Sequence, residues 1–180
     1  IDESFTRIIA ALINNHYQVM DFNKSKIGGY ISGDVEESRF DQLKRIWSVL
    51  FPEIKLMTNA ATRSITAMKN NSTYDLNDMS DGEKSVIHYI AQVLFAPENS
   101  IIIVDEPENH LNLSIVTKLW DYLIQVRETC RFVFISHTVE FIASRRNAKL
   151  VWCKSFTYPD TWDLQEIDDE LPRELIVELL

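Results

Sequence analysis

The sequence predicts an α/β fold with parallel strands and helices on both faces, preceded by an N-terminal helical lobe. Three observations carry that expectation. Residues Ile101 to Val104 place four β-branched side chains in a row, the composition of a strand buried on both faces. Phe132-Val133-Phe134-Ile135 forms a second near-continuous apolar run. From Ile101 onward the elements alternate strand, helix, strand, helix, strand, which predicts parallel pairing through right-handed crossovers.

Each element has its own signal. Phe5, Ile8, Ile9, Leu12 and Ile13 recur at helical spacing, so residues 2–20 read as an amphipathic helix. Residues 24–34 carry three of the four glycines and read as a loop. A second helix fits 36–50, with Phe40, Leu43, Ile46, Trp47 and Leu50 on one face, and stops before Pro52. Two short strands follow at 54–58 and 64–68, with a turn at Asn70-Asn71-Ser72. Residues 81–95 form a helix with Val86, Tyr89, Ile90, Val93 and Leu94 inward, broken at Pro97. After the strand 101–105 come a helix over 113–128 and a strand over 131–136. A short helix over 138–144, a third strand over 149–154 and an edge strand over 161–167 complete the series. Pro172 opens a final helix, since proline suits the first turn. Residues 1–75 thus make a helical lobe with short strands, and 76–180 the α/β part.

Composition bounds the function. An apolar share of 46% with 25% charged residues is that of a soluble globular chain of 180 residues. No apolar run approaches a membrane span, so no membrane partner is expected. From Asp160 onward eight acids face Arg173 alone, and they hold most of the net charge of −9. That balance argues against the chain itself being a nucleic-acid-binding surface. Arg145, Arg146, Lys149 and Lys154 form one small basic cluster, expected to be a solvated face. Cys130 and Cys153 lack metal-type spacing and read as buried thiols of a reducing cytoplasm.

The chemistry concentrates in two strings, Met79–Ser85 (MSDGEKS) and Ile101–Pro107 (IIIVDEP). Ligand sites in α/β sheets lie at the carboxyl ends of the strands. Asp105 ends one such strand, where its carboxylate can hold magnesium, largely through water. Glu106 beside it can act as general base toward an attacking water. Ser80 with Glu83 three residues on is a capping box. Gly82 inside that first turn costs helix stability and permits close approach of another group to the backbone. A helix N-terminus with free N–H groups and a serine hydroxyl is also an anion site. His137 follows the strand that neighbours Asp105, within expected reach of a terminal phosphate. Gly82–Ser85 is not the end of a phosphate loop. That loop requires G-x-x-x-x-G-K-[ST], whereas Glu83 separates glycine from lysine and Asn77 stands where the first glycine belongs.

In this order the strings resemble the C-terminal half of an ABC-type ATPase, a partial P-loop NTPase core. Ser80-Asp81-Gly82-Glu83 resembles the signature motif, and Ile101–Pro107 the Walker B strand with its catalytic glutamate. Glu108-Asn109-His110-Leu111 occupies the D-loop position, and Ile135-Ser136-His137 resembles the switch-histidine strand. The DEPENHL wording is similar to the soluble OLD-, RecF- and SMC-like branch of DNA repair and phage defence. Pro172–Leu180 (PRELIVELL) resembles the junction before a C-terminal domain, often a nuclease, in OLD-like proteins.

The resemblance implies ATP and magnesium as cofactors and a homodimer sandwiching two nucleotides head to tail. Asp105 would organise magnesium, Glu106 the attacking water and His137 the γ-phosphate. Ser80, Asp81, Gly82 and Glu83, with Asn109, would contact nucleotide held by the partner subunit. The phosphate loop is expected upstream of Ile1. DNA or a fused nuclease domain is the implied further partner. Three alternatives stand beside this reading. One is a non-catalytic module supplying only a signature face. Another is a transporter nucleotide-binding subunit. The third is a metal-dependent nuclease built on Asp105, Glu106 and Glu108.

Overall fold

A computed structural model describes residues 3–28, 34–145 and 147–167. The helix expected from Pro172, and Arg146 of the basic cluster, lie outside the described residues.

The N-terminal lobe is built from two helices. Helix α1 (Glu3–Ile27) buries Phe5, Ile9, Leu12, Ile13 and His16 along one stripe. It extends further than the apolar periodicity indicated, so residues 24–27 are helical rather than loop. Helix α2 (Arg39–Leu50) starts at Ser38, whose hydroxyl accepts from the Asp41 amide at 3.1 Å. That hydroxyl donates to Asp41 Oδ2 at 2.6 Å, which leaves His16 Nδ1 as the donor to it at 2.8 Å. Burial holds His16 below the ordinary histidine range, although Asp41 pulls the other way. Trp47 closes the lobe, its indole N–H bonded to the Ile54 carbonyl at 2.9 Å.

An antiparallel meander follows, β1 (Ile54–Asn59), β2 (Ser64–Lys69) and β3 (Ser72–Asp75). Strand β3 carried no sequence signal beyond its turn. Asn70 and Asn71 both adopt positive φ, 49° and 63°, the conformation of a tight primed hairpin turn that asparagine tolerates. A short 3₁₀ turn over Leu76–Asp78 then delivers the chain to helix α3 (Asp81–Phe95).

The parallel unit is β4 (Ile101–Asp105), α4 (Leu113–Val126) and β5 (Arg131–Ile135), with Ile101 paired to Arg131 and Asp105 to Ile135. Ile102, Val104, Phe132 and Phe134 turn toward the helices. Trp120 of α4 sits at their centre, its ring 5.1 Å from Phe134 and 5.2 Å from Tyr89 of α3. Helix α5 (Val139–Ser144) adds Phe141, 5.5 Å from Phe134. One continuous core joins α1, α2, β1, β2, α3, α4 and β4.

The other face of this sheet is open among the described residues. Ile101 and Ile103 are 65% and 67% exposed, although their composition predicts burial on both sides. Strand β6 (Leu150–Thr157) also departs from expectation. It was expected as a third parallel strand, but it pairs antiparallel with β7 (Thr161–Ile167) in a separate two-stranded sheet. Alternation of type cannot distinguish a strand that joins a sheet from one that folds back on its neighbour. Arg145 is not a solvated charge: it binds Asp121 at 2.8 Å and lies over the Phe141 ring. Cys130 is buried and Cys153 exposed, and both are free. Among the described residues no helix is long and apolar enough to cross a membrane.

Candidate functional site

The site is a loop, residues 106–112, gripped by three elements. Strand β4 hands its ladder on to the loop, because the Glu106 amide still bonds the Ile135 carbonyl at 2.9 Å. The chain then turns sharply. Glu106 adopts φ 48° and His110 φ 62°, a left-handed backbone that costs non-glycine residues about 1–3 kcal/mol and clusters at functional sites. Two internal bonds hold the turn, Asn109 N to Glu106 O at 3.0 Å and Leu111 N to Glu108 O at 2.9 Å. Helix α4 anchors it through the Trp120 indole, which donates to the Pro107 carbonyl at 3.3 Å. Asn112 ends the loop as N-cap of α4, accepting from the Ile115 amide at 3.0 Å.

This turn aims Glu106 at the end of β5. His137 Nδ1 lies 3.5 Å from Glu106 Oε1, with both side chains open to solvent. Asp105, one residue earlier, falls on the open face of the sheet, and no hydrogen bond or ion pair engages its carboxylate among the described residues. A lone free carboxylate at a strand end fits magnesium, which takes one or two carboxylates and fills its remaining positions with water and phosphate oxygens. Among the described residues no three His, Cys, Asp or Glu side chains converge as a metal-ligand set. The nuclease alternative needs such a set from Asp105, Glu106 and Glu108 and does not find it there.

The second half of the site is the start of α3. Ser80 caps it, and the capping box is complete. The Ser80 amide donates to Glu83 Oε2 at 2.8 Å, and the Glu83 amide returns to Ser80 Oγ at 3.3 Å. The Ser80 hydroxyl also donates to Oε2 at 2.7 Å, and the Tyr74 hydroxyl from β3 donates to Oε1 at 2.8 Å. Burial opposes the charge on Glu83, but the bonds from Ser80 and Tyr74 outweigh it and hold the carboxyl below the usual range. Burial and the same bond push Tyr74 up to about 12. A carboxyl lowered by folding contributes stability above its unfolded value, near ~4.3, and loses it as pH falls through the folded value. We therefore expect Glu83→Gln to flatten part of the acid limb of a denaturation profile. An unchanged limb would show that the box carries no charge-dependent stability.

Gly82 joins the halves. A Cβ at this position would lie 2.9 Å from the His110 carbonyl oxygen and 3.7 Å from Leu111 Cδ2. The close approach that its glycine implied is therefore made by the 106–111 loop of the same chain. Tyr89, two turns along α3, adds a long 3.5 Å contact from its hydroxyl to the Glu106 carbonyl. Burial pushes the Tyr89 hydroxyl upward, helped by Glu108 and Glu106.

The structure thus brings Gly82 to the 106–111 loop and Glu106 to His137. It leaves Asp81 and Asn109 exposed. The sequence reading missed the grip of Trp120 and Tyr74 and the bond from Ser136 to Glu108. These contacts join residues far apart in the chain, where no local pattern reports them.

Such a sheet with its flanking helices has a fold similar to that of SMC ATPase heads. The chain belongs to the family described as "AAA domain, putative AbiEii toxin, Type IV TA system", whose model matches residues 23–143. It is 32% identical over 76 residues to the "Probable ABC transporter ATP-binding protein p29" of Mycoplasma pneumoniae, covering 41% of this chain and 30% of that protein. The chain therefore spans under a third of that relative's length. Its fold is similar to an SMC ATPase studied for ATP-driven dimerization and DNA-stimulated activation, with TM-score 0.57 and 16% identity over 76% of this chain and 88% of that one. It is also similar to the Smc head domain of Pyrococcus yayanosii, with TM-score 0.53 and 15% identity over 76% of this chain and 27% of that one.

Proposed function

We propose that these residues form the signature-to-switch portion of an ABC-type ATPase that hydrolyses ATP between two head-to-tail copies. The observation that carries this reading is the bent loop itself. It turns Glu106 toward His137 at 3.5 Å while pressing its far end against Gly82 at the start of α3. That single loop therefore serves two places, a strand-end carboxylate pair and a helix N-terminus, and an ABC dimer uses those places on opposite nucleotides.

Asp105 would hold magnesium, which would supply positive charge against the phosphates. Glu106 orients the attacking water and takes its proton, and His137 faces the γ-phosphate. Catalysis of this kind is mostly positioning and electrostatics. The N-terminus of α3, with Ser80, Asp81, Gly82 and Glu83, and Asn109 on the loop, faces nucleotide held by the other copy. No G-x-x-x-x-G-K-[ST] occurs in the 180 residues, so the phosphate cradle is supplied by polypeptide outside them. The open face of β4 and β5 suits that role, since Asp105 lies on it beside exposed Ile103 and Ile135. Within the class, the DEPENHL wording favours the soluble OLD-, RecF- and SMC-like branch, cytoplasmic, acting with DNA or a fused nuclease in repair or phage defence.

A titration with ATP and magnesium tests the divided site. The 180-residue chain alone is expected to show no stoichiometric binding by calorimetry, and binding should arise once a phosphate-loop polypeptide is joined to it. Stoichiometric ATP binding by these residues alone would sink the reading.

A further inference from the structure

The bond missed by sequence reasoning lies at the point where the two catalytic candidates meet. The Ser136 hydroxyl donates to Glu108 Oε1 at 2.6 Å and accepts from the Thr138 amide at 3.1 Å. Its one side chain thereby fixes the backbone on both sides of His137 and ties it to the loop that carries Glu106. Glu108 Oε2 is buried with no hydrogen-bond partner among the described residues. An unpaired buried carboxylate oxygen is costly. A carboxylate held at that cost, one short turn from Glu106, calls for a reason beyond loop stability.

Glu106 and His137 are both largely open to solvent, and they touch only at 3.5 Å. That contact is too long to set their geometry by itself. The backbones are set elsewhere. Glu106 is fixed by its amide bond to the Ile135 carbonyl, and its turn is clamped by Trp120 through Pro107. Beyond His137 the Thr138 carbonyl accepts from the Ile142 amide at 3.1 Å, and among the described residues Ser136 is the side chain that ties this turn to the loop. The path from α3 to His137 therefore runs from Gly82 to the His110 carbonyl, along the loop to Glu108, and across to Ser136.

We infer that Glu108 and Ser136 are a positioning pair: their hydrogen bond locks the turn bearing His137 to the loop bearing Glu106, so the two groups address one phosphate as a unit. This deepens the ATPase reading and rests on it. Neither residue touches the reacting atoms.

The test uses the ATPase that contains these residues, with Glu106→Gln as the reference variant. Ser136→Ala and Glu108→Ala should each lower kcat by about ten- to a hundredfold, the scale of small misplacements, with KM for ATP unchanged. Ser136→Thr keeps the hydroxyl and Glu108→Gln keeps an acceptor oxygen, so both should restore most of the loss. The double alanine variant should be no worse than either single one, as expected for two halves of one bond. A merely structural role would lower the melting temperature without this split and rescue. Losses that multiply, a Glu108→Gln variant as slow as Glu108→Ala, or kcat within twofold of wild type for Ser136→Ala would each overturn the pair. If Glu106→Gln also leaves turnover unchanged, the reading of Glu106 as general base at this site fails and the pair falls with it. If Glu106→Gln is inactive while Ser136→Ala is not, only the pair fails.

Discussion

Glu106→Gln in the ATPase carrying these residues should lower kcat by about 10²–10⁴-fold, the usual worth of a positioned general base, while ATP stays bound. Glu106 sits at φ 48°, a conformation that glutamate adopts only where the surroundings enforce it. Here they do so through the Ile135 carbonyl, the Asn109 amide and Trp120 behind Pro107. The enforced turn delivers a carboxylate to the end of the sheet, exposed and within 3.5 Å of His137. Glutamine has the same length and the same backbone cost, so the fold and the nucleotide contacts should persist. Only the proton acceptor is lost. The expected signature is therefore a stable nucleotide-bound dimer with abolished turnover, read by gel filtration with ATP and by phosphate release. Turnover within a few fold of wild type would favour the alternative in which Asp105 and Glu106 are relics on a non-catalytic module.

How far the sequence reached depends on the range of each interaction. Helices α2, α3 and α4 and strands β4 and β5 were legible because their apolar periodicity is local. The capping box at Ser80 and Glu83 was legible for the same reason, and its bonds form as the spacing requires. The role of Gly82 was half legible. Its type announced a close approach, but the approaching atom, the His110 carbonyl, lies on a loop 28 residues further on, where only the fold can place it. The Ser136–Glu108 bond and the indole grip on Pro107 also span distant segments, and neither residue type advertises its partner. Strand β6 failed differently. Its composition fits any strand, and pairing partners are set by turn geometry and neighbours rather than by the strand itself. The open face of β4 and β5 is the most instructive departure. Ile101, Ile103, Val133 and Ile135 have the composition of a buried surface and are exposed. Their residue types thus match a sheet with a second covering layer, and Asp105 stands on the side where that layer would lie.

Gly82→Ala should destabilise the domain by about 1–3 kcal/mol, the range for adding a methyl group to a packed contact, and Gly82→Val by more. This runs against helix propensity, since alanine is favoured over glycine by about 1 kcal/mol in a helix interior. The contact decides the sign. The new Cβ would lie 2.9 Å from a backbone oxygen, not from the end of a flexible side chain. Retreat of that oxygen would require His110 to leave its left-handed conformation and would strain the Leu111 and Asn109 amide bonds that close the turn. Because the same turn aims Glu106, the substitution should slow ATP hydrolysis as well as lower the melting temperature. The two readouts separate the possible roles of the glycine. A variant that melts earlier and turns over slowly supports packing against the loop. A variant of unchanged stability that has lost turnover shows that Gly82 is kept for the approach of nucleotide. A variant that is more stable and fully active would show that the loop yields freely, and the link between α3 and Glu106 would then be lost.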